Sequence, residues 1–391
     1  MRNKKFLIVI FFSLIVIIAI VVIVASIVKY SDKILIVPER QDISKSSSDD
    51  YWSYLEWQDS FPEQKELINN FNSLVQDNGI ALTINISRQI KIAIVYPALQ
   101  ASDYWVRNVK AFEARLEESG VPYTTEKYYS KPGETRLQHQ QLQTIIESDF
   151  DYLITSLDES ADISLFEHIL TEGKIKLILQ NITTPLKRFG SNQPLLYTGF
   201  DHEEGSLQLA KRFIERFPSG ANGVLLLFTD GVVSRERGGT FKRVMDKNDK
   251  MHLLSIYKTE GSREKSKIAI LNAFNENQNI DFIYSCATDI SLGVIDALET
   301  LKTTNSIFVN GWGGGDIELD LISKNMLDIT VMRMNDDTAI AMAEAIKLDL
   351  QNEQEKIPLV FSGAFEIVNP SMKEKIESLK IRAFRYSSKE R

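Results

Sequence analysis

From Ile90 onward, short apolar runs alternate with longer amphipathic segments. Apolar runs of four to eight residues are typical of buried strands, whereas apolar positions that recur every three or four residues are typical of helices. The pattern predicts strands at 90–96, 122–128, 151–155, 175–181, 195–199, 223–229, 252–258, 281–286, 306–310, 328–333 and 359–368. Between them it predicts helices at 104–119, 134–149, 161–172, 202–216, 238–249, 262–277, 289–302, 316–325 and 336–352.

Strands and helices that alternate strictly along the chain predict an α/β protein built from βαβ units with parallel sheets. Because these strands are too many for one core, we predict two doubly wound parallel-sheet lobes, joined by a hinge that the chain crosses several times. The N-terminal lobe is predicted to comprise residues 51–200 plus 335–355, and the C-terminal lobe residues 201–334 plus 356–391. Ligands of such sheets bind beyond the carboxyl ends of the strands, so the cleft between the lobes is the predicted binding site.

The N-terminus carries an apolar run at residues 6–28 that is free of charge and follows a cluster of basic residues. A helix of this length spans the roughly 30 Å hydrocarbon core of a membrane. We interpret residues 1–30 as a signal anchor; the alternative is a signal peptide, whose best cleavage site would be Val24-Ala-Ser26. The polar residues 31–50 then form a tether, and the basic flank predicts that all that follows lies in the periplasm, tethered to the inner membrane.

Composition and motifs argue against several classes of function. A net charge of −8, with no basic block after the N-terminus, argues against nucleic-acid binding. The single cysteine, Cys286, excludes a disulfide scaffold and a multi-cysteine metal site. The four histidines lack metal-site spacing and no Gly-x-Ser-x-Gly nucleophile motif occurs, so we predict a binding protein without a cofactor rather than an enzyme.

Arg333 lies inside the predicted buried strand 328–333. A guanidinium stays charged in proteins, and burial without a partner costs about 3–5 kcal/mol. Either an internal carboxylate pairs with Arg333, or the side chain binds an anionic ligand. This segment alone leaves both alternatives open.

A set of polar and aromatic residues shares one placement, since each lies at or after the carboxyl end of a predicted strand. The set is Gln100, Ser102, Trp105, Asn181, Arg235, Arg237, Thr288, Trp312, Asp316 and Arg333. Individual members also have structural interpretations: helix caps for Ser102 and Thr288, a turn for Asn181, and core packing for the two tryptophans. Because the whole set points to one cleft, we predict that the ligand binds there.

Long stretches of the chain are similar to a known family. They include Phe-Pro-Glu-Gln at 61–64, Ser-Asp-Tyr-Trp-Val-Arg-Asn at 102–108, Leu-Ile-Leu-Gln-Asn-Ile-Thr-Thr-Pro at 177–185, Asn-Gly-Trp-Gly-Gly-Gly at 310–315 and Asp-Ile-Thr-Val-Met-Arg-Met-Asn-Asp-Asp-Thr at 328–338. From about Tyr51 to Tyr386, the chain resembles the LuxP family of periplasmic autoinducer-2 receptors, within the type I periplasmic sugar-binding proteins.

The resemblance implies a ligand and a partner. The ligand is the furanosyl borate diester form of autoinducer-2, so boron is expected only as part of the ligand. The resemblance implies that eight residues of the set, all except Arg235 and Asp316, bind the ligand, and these eight are the predicted binding residues. Arg237 and Arg333 are expected to face the borate and the other six the furanose. The implied partner is the periplasmic domain of a LuxQ-type sensor kinase. One alternative is a sugar-binding protein of an ABC transporter, and another is a lobed regulator without a small ligand.

Overall fold

The computed structural model describes residues 50–157, 162–277, 279–303 and 306–388. The predicted membrane anchor at 6–28 and all of the tether except Asp50 lie outside the described residues. Within the described ranges, no helix is both long and apolar enough to cross a membrane.

The first lobe is built on a six-stranded, fully parallel sheet with the order β11-β5-β4-β3-β1-β2. Its strands are β1 (Ile90–Tyr96), β2 (Tyr123–Tyr129), β3 (Tyr152–Ser156), β4 (Lys176–Gln180), β5 (Leu196–Gly199) and β11 (Val360–Ser362). The inner strands are mostly apolar and buried, because helices cover both faces of the sheet, as is typical of parallel sheets.

The second lobe is built on a six-stranded sheet with the order β12-β10-β9-β8-β6-β7. Its strands are β6 (Ala221–Leu227), β7 (Met251–Lys258), β8 (Phe282–Ser285), β9 (Phe308–Gly313), β10 (Ile329–Arg333) and β12 (Phe365–Val368). The prediction of two doubly wound α/β lobes is confirmed.

The helices predicted between the strands are present, with ends that shift by a few residues. They are α3 (Tyr104–Glu118), α4 (Thr135–Ile146), α5 (Ile163–Glu172), α6 (His202–Arg216), α7 (Thr240–Asp246), α8 (Arg263–Glu276), α9 (Thr288–Leu301), α10 (Asp316–Ser323) and α11 (Asn335–Leu350). Three helices fall outside the region for which elements were predicted: α1 (Tyr54–Ser60), α2 (Gln64–Gln76) and α12 (Lys373–Ala383). The start of α1 carries a sequence signal, because Ser53 and Glu56 form a capping box.

The predicted strand 359–368 is in fact two strands in different lobes. Strand β11 joins the first sheet, and β12 joins the second sheet antiparallel to β10. The chain crosses between the lobes at Gly363, whose amide donates to the carbonyl of Gly199 at 2.8 Å. Because β10 runs toward this crossing and β12 runs away from it, the two strands must be antiparallel. The second sheet is therefore mixed rather than purely parallel, and β11 lies in the first lobe although residues 356–391 were assigned to the C-terminal lobe.

Helix α11 returns the chain to the first lobe directly after β10. It is buried almost throughout and packs on α3, so Arg333 sits where the chain leaves the second sheet for the first lobe. The carboxyl ends of strands from both sheets consequently face a common cleft.

Candidate functional site

All eight residues predicted to bind a ligand line one cavity between the lobes. Its empty volume is about 580 Å³, a figure that includes space open to solvent. Sequence reasoning missed further lining residues: Pro97, Tyr104, Ser156, Leu157, Gln180, Phe228, Val233 and Ala287. Proximity places the eight residues together, and their part in binding stays a prediction.

The loop after β1 supplies Gln100 and Ser102. The Gln100 amide donates to the carbonyl of Pro97 at 2.6 Å, which holds the side chain against its own loop. Ser102 is a poor helix cap, because its Oγ accepts from the Tyr104 amide only at 3.5 Å. Trp105, in the first turn of α3, is buried and packs on Tyr96 with ring centroids 4.5 Å apart.

Asn181 follows β4 in the left-handed backbone conformation, at a φ of 65°, which asparagine adopts more readily than most residues. The neighbouring Gly199 leaves room for this turn, since a Cβ there would lie 2.7 Å from the Ile182 amide nitrogen. The turn explains the Asn181 backbone but not its side chain. Its Oδ1 atom is buried and has no hydrogen-bond partner.

Arg237 lies in a π-helical turn, Ser234–Gly239, rather than in an open loop. Gly238 allows the turn to pack tightly, because a Cβ at that position would lie 2.2 Å from the Leu227 side chain. The Arg237 guanidinium donates to the carbonyl of Cys286 at 2.8 Å and stacks over the ring of Trp312 at 3.8 Å.

Arg333 ends β10 and is 5% exposed. Its Nε donates to the carbonyl of Gly313 at 3.3 Å, and its guanidinium stacks over the Tyr104 ring at 4.0 Å. Among the described residues, no carboxylate forms an ion pair with Arg333 or with Arg237. The structural ion pair that the sequence left open for Arg333 is therefore absent from the described part of the chain.

The two arginines give the cavity a strongly positive character. Burial, together with the nearby charge of Arg333, lowers the pKa of Arg237 to about 9. Burial also lowers the pKa of Arg333, against the weaker opposing effects of Tyr104 and Glu318. Both shifts have the same cause, namely that two buried cations share one site and neither has an ion-pair partner among the described residues.

His202 connects the two walls of the cavity, and sequence reasoning assigned it no role. Burial and the two arginines hold its pKa well below the usual value, so the ring is neutral. Its Nε2 bonds to the carbonyl of Asn181 at 3.1 Å, and its Nδ1 accepts from Arg237 at 3.4 Å. Its place directly after β5 was the available signal, since the strand-end rule applies to it as well.

Thr288 and Trp312 face the cavity from the second lobe. Thr288 is the first residue of α9, which Ala287 precedes as the N-cap position. Trp312 lies inside β9, which is longer than the predicted strand 306–310, and its indole donates to Ser206 at 3.4 Å. Trp312 is thus both a core residue and a cavity residue. A Cβ at the adjacent Gly313 would lie 2.7 Å from Thr288 Oγ1 and 3.3 Å from the Arg333 guanidinium, so a side chain there would enter the site.

The lobes touch across the cleft at several points. The Asp289 carboxylate of the second lobe accepts from the amides of Ala101 at 2.9 Å and Ser102 at 3.1 Å. Arg107 of the first lobe pairs with Asp316 of the second. The described arrangement is therefore a closed one, in which the loop bearing Gln100 is held by the opposite lobe.

Comparisons with known proteins agree with this architecture. The model of the periplasmic binding protein domain family matches residues 92–354, which is more than half of the chain. Similar solved structures include a solute-binding protein from Bacillus halodurans with bound myo-inositol, at 17% identity and a TM-score of 0.63, covering 76% of this chain and 100% of that one. Another is from Actinobacillus succinogenes with D-allose, at 17% identity and a TM-score of 0.64, covering 73% and 100%. A third is from Agrobacterium vitis with D-fucose, at 14% identity and a TM-score of 0.68, covering 74% and 98%.

At these identities the solved structures establish the fold alone. The family match covers β1 through α11 and includes all eight residues of the predicted binding set. This chain belongs to the periplasmic binding protein domain family.

Proposed function

We propose that this protein is a receptor for a small polyhydroxylated ligand that carries one negative charge, and that this ligand is the furanosyl borate diester form of autoinducer-2. The observation that carries the proposal is the pair of buried arginines, Arg237 and Arg333, which line one cavity and have no ion-pair partner among the residues that the structure describes. Guanidinium groups meet delocalised anions with charge-assisted hydrogen bonds of about 1.5–3 kcal/mol each. Family membership makes the protein a binding protein rather than an enzyme, and implies a periplasmic or other extracytoplasmic location.

The other lining groups suit a furanose. Trp105 and Trp312 offer flat apolar surfaces for a sugar ring, while Ser102, Asn181 and Thr288 offer hydrogen bonds to hydroxyls. Added to the resemblance of the chain to the LuxP family, this supports a borated sugar over an anion such as phosphate, for which the chain has no glycine-rich phosphate loop.

We also propose that the closed form is read by the periplasmic domain of a LuxQ-type sensor kinase. The contacts of Asp289 and Asp316 with the first lobe support a ligand-dependent closure that a partner spanning both lobes could sense. A ligand drives closure only to the extent that it binds the closed form better than the open form. Tethering to the inner membrane through residues 6–28 would raise the local concentration of the receptor near such a kinase.

The second candidate function is sugar binding for an ABC transporter. The comparisons fit this candidate better, because the solved structures named above are ABC transporter proteins that hold neutral sugars or a polyol. The uncompensated arginines favour the first candidate, since a neutral sugar would leave two buried cations without a counter-charge.

Calorimetry with ligand-free protein tests these candidates. The probes are 4,5-dihydroxypentane-2,3-dione, which is the precursor of autoinducer-2, with and without borate, and the neutral sugars D-allose and D-fucose. We expect tight binding of the precursor only when borate is present, together with boron in the protein isolated from borate-containing medium. Binding of a neutral sugar at equal or higher affinity would replace the first candidate by the second. Co-purification of a kinase periplasmic domain or of a permease separates signalling from transport.

A further inference from the structure

Ser156 is the last residue of β3 and pairs in register with Gln180 on β4. It is 4% exposed and lines the cavity, and its Oγ atom has no hydrogen-bond partner among the described residues. Burying a hydroxyl without a partner is unfavourable, so such a group at a cavity wall is poised to bond with whatever occupies the cavity.

Asn181, one residue beyond β4, presents the same situation beside it. Its Oδ1 is also buried, unpartnered and at the cavity wall. Gln180 lies between them in the fold, but its amide is already used, because it donates to Asn108 at 2.5 Å and to the Tyr104 hydroxyl at 3.3 Å. Ser156 and Asn181 are therefore the groups of this wall with unused hydrogen-bonding atoms.

Lack of a partner is not sufficient evidence of a binding role. Ser255 on β7 and Thr198 on β5 are also buried, and their hydroxyls are unpartnered, yet neither lines the cavity. What distinguishes Ser156 is the combination of an unpartnered hydroxyl with a place on the cavity wall.

We infer that Ser156 is a further ligand-contacting residue and that, with Asn181, it forms a wall that reads ligand hydroxyls. The amide oxygen of Asn181 can only accept, so it requires a donor such as a hydroxyl, whereas the Ser156 hydroxyl can donate or accept. The opposite wall carries Arg237 and Arg333, which can only donate and are charged. The ligand accordingly lies with a hydroxyl-bearing edge toward the first lobe and an anionic edge toward the second. The assignment of the charged edge rests on the proposed function, whereas the hydroxyl contact would hold for a neutral sugar as well.

The test compares Ser156→Ala with Ser255→Ala, which removes a similarly buried and unpartnered strand hydroxyl away from the cavity. Ligand affinity is measured by calorimetry with borated precursor and with D-allose, D-fucose and myo-inositol, and thermal unfolding is measured without ligand. For whichever probe the wild type binds, we expect Ser156→Ala to weaken binding about tenfold and Ser255→Ala to leave it unchanged. Neither variant should lower the melting temperature of ligand-free protein, because no hydrogen bond is lost.

The possible outcomes distinguish failure of the Ser156 contact from failure of the proposed function. Binding of a neutral sugar alone would refute the anionic ligand, and Ser156→Ala would then be judged on that sugar. Wild-type affinity in Ser156→Ala would overturn the Ser156 contact while leaving the proposed function intact. Absence of binding to every probe would overturn both. If the wild type binds a sugar, deoxy analogues of that sugar add a second readout. One analogue should bind the wild type more weakly than the parent sugar does, yet bind Ser156→Ala as tightly as the parent sugar does. Equal losses of affinity in both proteins would refute the contact.

Discussion

Replacing Arg333 by methionine is predicted to weaken ligand binding while leaving the stability of the ligand-free protein nearly unchanged. Methionine is unbranched and apolar, so it fills most of the volume of the arginine stem without carrying charge. In the ligand-free protein the guanidinium of Arg333 retains a 3.3 Å hydrogen bond to the Gly313 carbonyl and a stack on Tyr104. Among the described residues no carboxylate forms an ion pair with Arg333, and the charges of Glu318 and Asp103 only partly oppose the lowering of its pKa by burial.

The expected magnitude follows from these contacts. Removing an uncompensated buried charge relieves about 3–5 kcal/mol. The substitution loses a cation–π contact worth about 1–2 kcal/mol and a charged hydrogen bond worth about 1.5–3 kcal/mol. The free energy of unfolding should therefore stay nearly constant or rise by about 1 kcal/mol. Loss of one charge-assisted hydrogen bond to an anionic ligand should weaken binding by roughly 10- to 150-fold.

Arg115→Met is the matched control. Arg115 is 1% exposed, but it pairs with Glu344 at 2.7 Å and donates to the Tyr386 hydroxyl at 2.6 Å. Arg115→Met deprives the buried Glu344 carboxylate of one of its two cationic partners, the other being Lys347 at 2.5 Å, and removes several hydrogen bonds of the guanidinium. The free energy of unfolding should therefore fall by about 3–5 kcal/mol. Ligand affinity should not change, because Arg115 does not line the cavity.

Urea unfolding of ligand-free protein and calorimetry with the ligand that the wild type binds measure both effects. If Arg333→Met is as destabilising as Arg115→Met, Arg333 has a stabilising partner in solution and the argument for an anion site fails. If its affinity equals that of the wild type, the guanidinium does not meet the ligand.

Three further predictions use other parts of the site. Gly313→Ala places a methyl group 2.7 Å from Thr288 Oγ1. Calorimetry should show at least a tenfold loss of affinity, roughly the effect of one lost hydrogen bond to a charged group, while the thermal unfolding midpoint stays nearly unchanged. Retained affinity would show that the ligand binds elsewhere. Since the pKa of His202 is depressed in the folded protein, the unfolded state binds more protons, and stability is lost as the pH falls below about 6.5. Relative to His202→Asn, the wild type should lose about 1.4 kcal/mol between pH 7.5 and pH 5.5 in urea unfolding, and a constant difference would contradict the neutral buried ring. Asp289→Ala removes two hydrogen bonds that hold the closed form, so ligand binding should weaken by about tenfold or more and small-angle scattering should show a larger radius of gyration with ligand. Asp316→Asn alters an exposed pair worth less than about 1 kcal/mol and serves as its control; equal effects of the two variants would show that Asp289 does not stabilise closure.

The alternation of apolar and amphipathic segments was enough to predict the two sheets, because parallel strands buried on both faces read as continuous apolar runs. The same rule predicted where the site would lie, since the residues after the strand ends meet in the cleft. The apolar pattern failed at residues 359–368, where one apolar run contains two strands that belong to different sheets. The crossing at Gly363 depends on a contact with Gly199, and a pattern along the chain does not contain such a long-range contact.

The sequence also did not reveal which charged residues form ion pairs. Arg115 reads as an ordinary arginine of an amphipathic helix, yet it is one of the most buried side chains and has an ion-pair partner more than two hundred residues away. Arg333 lies in an apolar strand and has none among the described residues. The π-helical turn that aims Arg237 at the cavity likewise results from close packing against Leu227, which no local propensity indicates.

The crossings between the lobes determine how the site assembles. Hydrogen bonds connect the three segments that join the lobes. The amide of Gly363 donates to the Gly199 carbonyl, and the amide of Met334 donates to the Ala364 carbonyl. Segments tied side by side bend together but resist twisting and sliding, so we expect the lobes to swing about a single axis. Arg333 and Asn181 adjoin the crossing segments, so we expect them to keep nearly the same separation when the cleft opens. The loop held by Asp289 should instead move with the rim of the cleft. An arriving ligand would therefore meet a preformed inner half of the site first, and the rim would set how long it stays.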